Sequence, residues 1–197
     1  PRKQRATILF TDIRGFSSIS EKTDPRKLAV FLNRYYFSPL GDIVFQYNGT
    51  LDKHIGDSIM VIYGAPVSYD DDALRAVLTA LEMQKRMAQM SVSLGSFSLQ
   101  SIPTGIGIST GEVVVGMFGS ARKKEYTVIG SEVNIAARLE KIAKNGQILI
   151  TEDTYQEVHH EIIAEKVDIV NVRGIEKEIG IYNVLGVKPH TPLSSGF

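Results

Sequence analysis

The chain has 197 residues, 22 basic and 22 acidic side chains, a formal net charge of zero and no cysteine. Such a length fits one domain with a real core. The balanced charge leaves no basic footprint for a nucleic acid, and the lack of cysteine excludes disulfides, thiolate metal sites and cysteine nucleophiles. No apolar run approaches the ~18 residues that span a bilayer and no signal peptide is visible, so the expectation is a cytoplasmic domain that does not itself insert into a membrane. The chain opens at Pro1 rather than Met and enters a strand almost at once. The expectation is a fragment of a longer protein that carries regulatory domains elsewhere and, in full length, can be membrane-anchored.

In chain order, Ala6 to Ile13 is apolar enough for a buried strand. From Pro25 to Tyr47 the residues Leu28, Leu32, Tyr35, Pro39, Ile43 and Tyr47 recur every three or four positions, which predicts a helix opened by Asp24-Pro25 and kinked at Pro39. Thr50 to Ile55 and Ser58 to Tyr63 read as a hairpin turning at Gly56-Asp57. A helix follows over Asp71 to Gln89, its acidic start matching the helix dipole, with Met83, Met87 and Met90 at the spacing of a core or packing face. Ser91 to Ser101 reads as a loop. Thr104 to Ser109 and Glu112 to Phe118 read as two strands around a turn at Gly111, and Tyr126 to Ile129 as a short strand. Ser131 is expected to cap a helix over Glu132 to Lys144 that stops at Asn145-Gly146. Gln147 to Thr151 is a strand and Glu152 to His159 a short helix; Ile162 to Val172 and Ile179 to Val184 form closing antiparallel strands. The fold class is α+β: a ferredoxin-like palm with a βαββαβ core and extra elements, over residues 1–187, followed by a tail over 188–197.

Two acidic segments carry the chemistry. Phe10-Thr11-Asp12-Ile13-Arg14-Gly15-Phe16-Ser17 runs a strand into an aspartate and a glycine turn, and Lys53-His54-Ile55-Gly56-Asp57-Ser58 sets another aspartate in a hairpin. Adjacent strands would bring Asp12 and Asp57 together, where two hard carboxylates can hold one or two Mg²⁺ ions over a phosphate ester. Singly, each has a plainer reading: a helix cap for Asp12, a turn residue for Asp57. Gly15, Phe16 and Ser17 should begin a helix whose N–H groups face an anion. Asn134 and Arg138 lie four apart, on one helix face. The histidines at 54, 159, 160 and 190 form no ligand cluster.

Together with Gly105-Ile106-Gly107-Ile108-Ser109-Thr110-Gly111, Val115-Gly116-Met117-Phe118-Gly119 and Thr127-Val128-Ile129-Gly130 through Asn134-Ile135-Ala136-Ala137-Arg138-Leu139, these segments resemble the class III nucleotidyl cyclases, over roughly Arg5 to Val187. The resemblance implies a head-to-tail homodimer with two composite sites that turn ATP into 3′,5′-cyclic AMP and pyrophosphate using two Mg²⁺ or Mn²⁺ ions per site. Asp12, Asp57 and the Ile13 carbonyl would hold the metals. Lys53 and Thr127 would read the purine, Asn134 would orient the ribose, and Arg138 would stabilise charge on the α-phosphate. Arg122 would meet the β- and γ-phosphates, and a second triphosphate cation would be Lys177 or Arg173. Adenylyl members mostly carry Asp where this chain has Thr127; the Lys-Thr pair is similar to a bacterial subset common in cyanobacteria, in which bicarbonate stimulation is a theme. A guanylyl cyclase, or a non-catalytic nucleotide-binding dimerisation module, is the alternative.

Overall fold

The computed structural model describes residues 1–95, 98–167 and 179–189. Strand β1 (Arg2–Ile13) leads into α1 (Phe16–Lys22), α2 (Pro25–Phe31), a π-helical segment (Leu32–Phe37) and α3 (Ser38–Gln46). The hairpin β2 (Thr50–Ile55) and β3 (Ser58–Tyr63) is followed by α4 (Asp72–Gln89). A small hairpin, β4 (Val92–Ser93) and β5 (Ser98–Leu99), precedes the long β6 (Thr104–Gly119) and then β7 (Lys124–Ile129). After these come α5 (Ser131–Ile142), β8 (Ile148–Thr151), α6 (Glu152–Val158), β9 (Ile162–Val167) and β10 (Ile181–Val187). Sheet order is β2-β3-β1-β6-β8-β10-β9, with β7 also paired to β6. Only β6 and β8 run parallel among these pairs. The expected α+β palm is present: β1, the helices to α3, β2, β3, α4 and β6 make its βαββαβ core.

β1 lies between β3 and β6 and is covered on both faces, which is why its sequence is a continuous apolar run. Leu9 and Ile13 face a core with Ile59, Val61, Tyr63 and the Ala73, Ala76, Val77, Ala80, Met83 and Met87 stripe of α4. Ala6, Ile8 and Phe10 face the other way, onto Met60, Ile62, Val113 and Ala136 of α5. Asp24 caps α2 as expected, accepting from the backbone N–H of Arg26 at 3.0 Å and of Lys27 at 3.3 Å. No described helix is long and apolar enough to cross a membrane.

Four expectations need correction. The predicted Pro39 kink is a π-helical widening just before it, with the Ser38 N–H bonded to the Asn33 carbonyl; proline supplies no N–H, and the wider turn relieves its clash with the preceding carbonyls. Gly111 is no turn: β6 is one strand, in unbroken register with β1 from Arg2 opposite Val115 to Ile13 opposite Thr104. Its glycines serve packing instead. A Cβ on Gly107 would overlap the Glu140 nitrogen and the Ala136 carbonyl oxygen, and one on Gly111 would lie 2.7 Å from the Glu132 carboxyl carbon. Ser131 is the first residue of α5 rather than its cap; Gly130 holds the cap position, and the Ser131 hydroxyl donates to Glu132 at 3.2 Å. The Ser91 to Ser101 stretch, read as a loop, contains the β4–β5 pair. Most of the segment between β9 and β10, with Arg173 and Lys177, and the tail from residue 190 lie outside the described residues.

Candidate active site

The β1–β3 register, Thr11 opposite Ile59, carries the hairpin tip to the end of β1. Gly56 turns the chain with a left-handed φ of 63°, and the Ile13 N–H donates to Asp57 Oδ2 at 2.9 Å. Asp12 and Asp57 therefore meet, as their sequence contexts predict. They line a cavity of about 290 Å³ with Ile13, Arg14, Gly15, Phe16, Ser17 and Lys141. Gly15, at φ 73°, is the residue before α1, so the chain bends around this cavity at a conformation that costs glycine little.

No group of three or more acidic, histidine or cysteine side chains able to hold a metal occurs among the described residues. Two carboxylates suit Mg²⁺ nonetheless, since it keeps waters and takes substrate phosphate oxygens alongside one or two acids. The Ile13 carbonyl lies beside them on the backbone.

Sequence reasoning missed the residue that organises this end. Arg14 donates from Nη1 to the carbonyls of Glu140 at 3.0 Å, Lys141 at 3.2 Å and Ala143 at 3.0 Å, satisfying acceptors that the C-terminus of α5 leaves open. Its Nη2 pairs with both the Asp12 and the Glu140 carboxylates. Glu140 is 3% exposed; burial raises its pKa and the Arg14 charge opposes the rise. The signal was a glutamate two residues beyond Arg138, on the inner face of an amphipathic helix. Under the site, burial pushes the Tyr36 phenol far above its ordinary range, the neighbouring Thr11 hydroxyl opposing and the charge of Asp57 adding to the shift. Tyr36 therefore stays neutral beneath the acidic pair.

A second cluster lies elsewhere in the chain. Lys53 on β2 and Thr127 on β7 are brought together by Asp52: the Thr127 hydroxyl donates to Asp52 Oδ2 at 3.0 Å and Lys53 Nζ lies 3.4 Å from the same oxygen. Lys53 also reaches Glu125 Oε2 at 3.4 Å, and the Lys123 and Lys53 ammonium groups hold the Glu125 carboxyl below its ordinary range. Neither Asp52 nor Glu125 was singled out in the sequence, although Asp52 directly precedes Lys53. Asn134 and Arg138 share a face of α5, exposed and half-buried, and their side chains make no hydrogen bond or ion pair to other described residues. Arg122 sits in the exposed β6–β7 turn, where the backbone N–H groups of Arg122 and Lys123 donate to the Ser120 hydroxyl at 3.3 and 3.2 Å. None of Lys53, Arg122, Thr127, Asn134 or Arg138 lines the Asp12–Asp57 cavity. His54 stacks on Phe37 at 4.3 Å between centroids, a packing role.

Residues 1–186 match the family model for the adenylate and guanylate cyclase catalytic domain. The chain belongs to this family. It is 37% identical over 185 residues, 91% of its length, to the terminal-differentiation-specific adenylate cyclase of Dictyostelium discoideum, and 36% identical over 92% of its length to an adenylate cyclase of Anabaena cylindrica. The chain spans only 8% and 37% of the length of those two proteins. Among solved structures it superposes on the guanylyl cyclase Cya2 with a TM-score of 0.89 at 36% identity, covering 99% of this chain and 98% of that one. The adenylyl cyclase CyaB from P. aeruginosa gives 0.85 at 33% identity, covering 96% and 98%.

Proposed function

We propose that this cyclase domain converts ATP to 3′,5′-cyclic AMP and pyrophosphate in a head-to-tail homodimer with two composite sites. The observation that carries this reading is the division of the site residues: an acidic cavity around Asp12 and Asp57, and a separate surface on which Lys53 and Thr127 share Asp52 while Arg138 and Asn134 have no partner among the described residues. A second copy in two-fold relation completes both sites at once.

In this reading Asp12 and Asp57, with the Ile13 carbonyl, hold two Mg²⁺ or Mn²⁺ ions, which when bound help activate the ribose 3′-hydroxyl and neutralise the pyrophosphate leaving group. The backbone N–H groups of Gly15, Phe16 and Ser17 face the triphosphate, and Gly15 lets the main chain come close. From the other copy, Lys53 donates to adenine N1 and the Thr127 hydroxyl accepts from the 6-amino group. Asn134 orients the ribose. Arg138 binds the α-phosphate most strongly as charge grows there, a contact made chiefly in the transition state. Arg122, and Lys177 or Arg173, complete the binding of the β- and γ-phosphates.

Similarity alone does not choose the purine, because the relatives named adenylate cyclase and the guanylyl cyclase Cya2 lie at nearly the same identity. Lys53 favours adenine: its ammonium can only donate, and guanine N1 carries a hydrogen. Separate incubations with ATP and GTP, each with Mg²⁺ and with Mn²⁺, test the reading by identifying the cyclic product. Cyclic GMP as the main product would replace ATP by GTP; no product with either nucleotide would leave a non-catalytic binding module.

A further inference from the structure

Strand alternation would send Asp52 and Lys53 to opposite faces of β2. A register shift breaks it: Leu51 faces Val61 and Lys53 faces Met60, so no residue of β3 stands opposite Asp52. Such a bulge re-aims a side chain, and here the Asp52 carboxylate and the Lys53 ammonium come within 3.4 Å of each other. The Asp52 side chain is only 2% exposed. Thr127 meets the same oxygen, donating its hydroxyl hydrogen to Oδ2 at 3.0 Å.

This bond fixes a direction. A hydroxyl has one hydrogen and two lone pairs, whereas a carboxylate only accepts. With its hydrogen committed to Asp52, Thr127 has only lone pairs left for a ligand. A threonine free to rotate would read a 6-amino and a 6-oxo purine alike, by accepting from one or donating to the other. We propose that Asp52 is a positioning residue for purine choice: by holding the Thr127 hydroxyl as an acceptor, it makes the site take a 6-amino purine and reject one with an oxygen at position 6. The inference rests on the base-reading role given above to Thr127 and Lys53.

The test measures kcat/KM of the purified chain for ATP and for 6-methoxypurine riboside triphosphate, which keeps N1 as an acceptor and changes only the 6-substituent from donor to acceptor. Any change at Lys53 acts on both substrates alike and cancels in the ratio. Wild type should favour ATP by about tenfold or more. In Asp52→Asn the side-chain amide can donate to the Thr127 oxygen and turn its hydrogen outward, so the ratio should fall about tenfold. Thr127→Val should lose the preference too, the double variant should lose no more than Thr127→Val alone, and Thr127→Ser should keep it. An unchanged ratio in Asp52→Asn, with the ratio collapsed in Thr127→Val, would overturn the role of Asp52 and leave the base reading standing. Ratios unmoved in both would sink the base reading as well. Should Asp52→Asn fail to fold, wild type still decides: it should use the 6-unsubstituted purine triphosphate better than the 6-methoxy one, and the reverse order refutes an acceptor-only Thr127.

Discussion

Replacing Arg14 by methionine removes a side chain that pairs with Asp12 and also holds the end of α5. Arg14 is 22% exposed and Glu140 3%, so the substitution leaves a buried carboxylate without its counter-charge and opens the Glu140, Lys141 and Ala143 carbonyls. Removing one partner of a buried pair costs about 3 kcal/mol at the lower end of measured cases. For a domain of this size that is a melting temperature lower by roughly 6–12 °C. Because burial already raises the Glu140 pKa and Arg14 opposes it, losing Arg14 raises it further. A carboxyl with a raised native pKa binds more protons folded than unfolded, so its contribution to stability is present below the unfolded pKa and is lost as pH rises through the folded value. The deficit of Arg14→Met against wild type should therefore shrink as pH falls from about 8 to about 5.5. Adding Glu140→Leu should return most of the melting temperature, since an apolar pair can replace a buried ionic one. It should not return kcat, because Asp12 still lacks its neighbour. Scanning calorimetry at several pH values, with cyclic nucleotide assays on the same preparations, reads all of this. A melting temperature within ~2 °C of wild type at neutral pH, or a deficit that widens on acidification, would refute the role given to Arg14.

Mixing inactive Asp57→Ala with inactive Arg138→Ala should restore about a quarter of wild-type activity, as half the dimers are mixed and each carries one intact site; no rescue from two soluble, dimeric variants would rule out composite sites. Lys53→Glu should reduce kcat/KM for ATP and shift preference toward GTP, measured as the ratio of the two. Gly107→Ala should destabilise the domain by about 1–3 kcal/mol in denaturant melts, because its methyl group meets the α5 backbone rather than a movable side chain. Arg138→Ala should lower kcat by about 10²–10³ with little change in KM, and an equal loss through KM would assign Arg138 to ground-state binding instead.

The sheet and the acidic pair were legible because their signals are local. An apolar run ending in Asp12 and a glycine turn holding Asp57 fix strand ends, and antiparallel pairing does the rest. Gly111 misled for the same reason: turn propensity is local, whereas Gly111, like Gly107, is required by α5 lying against it, a contact no window of β6 contains. Arg14 and Asp52 went unread although both touch residues that were singled out. A charged side chain beside a motif looks solvated in sequence; only the fold shows that Arg14 reaches the carbonyls of α5, or that a one-residue bulge turns Asp52 toward Thr127.

These two unread residues do the same kind of work at the two halves of the site. Each is a charged group that holds a neighbouring functional group in one state: Arg14 against the Asp12 carboxylate, Asp52 against the Thr127 hydroxyl and the Lys53 ammonium. Arg14 does more, since its other contacts close the end of the helix that carries Asn134 and Arg138. In the proposed dimer that helix serves the site opposite to the one Asp12 serves. One guanidinium then ties the metal strand of one site to the phosphate-binding helix of the other. A disturbance at Arg14 would reach both sites of the dimer, whereas one at Asp57 or Arg138 is confined to one site per altered chain. That asymmetry follows from where α5 ends, and it is why the arginine after Ile13 cannot be read as a spacer between the aspartate and the glycine turn.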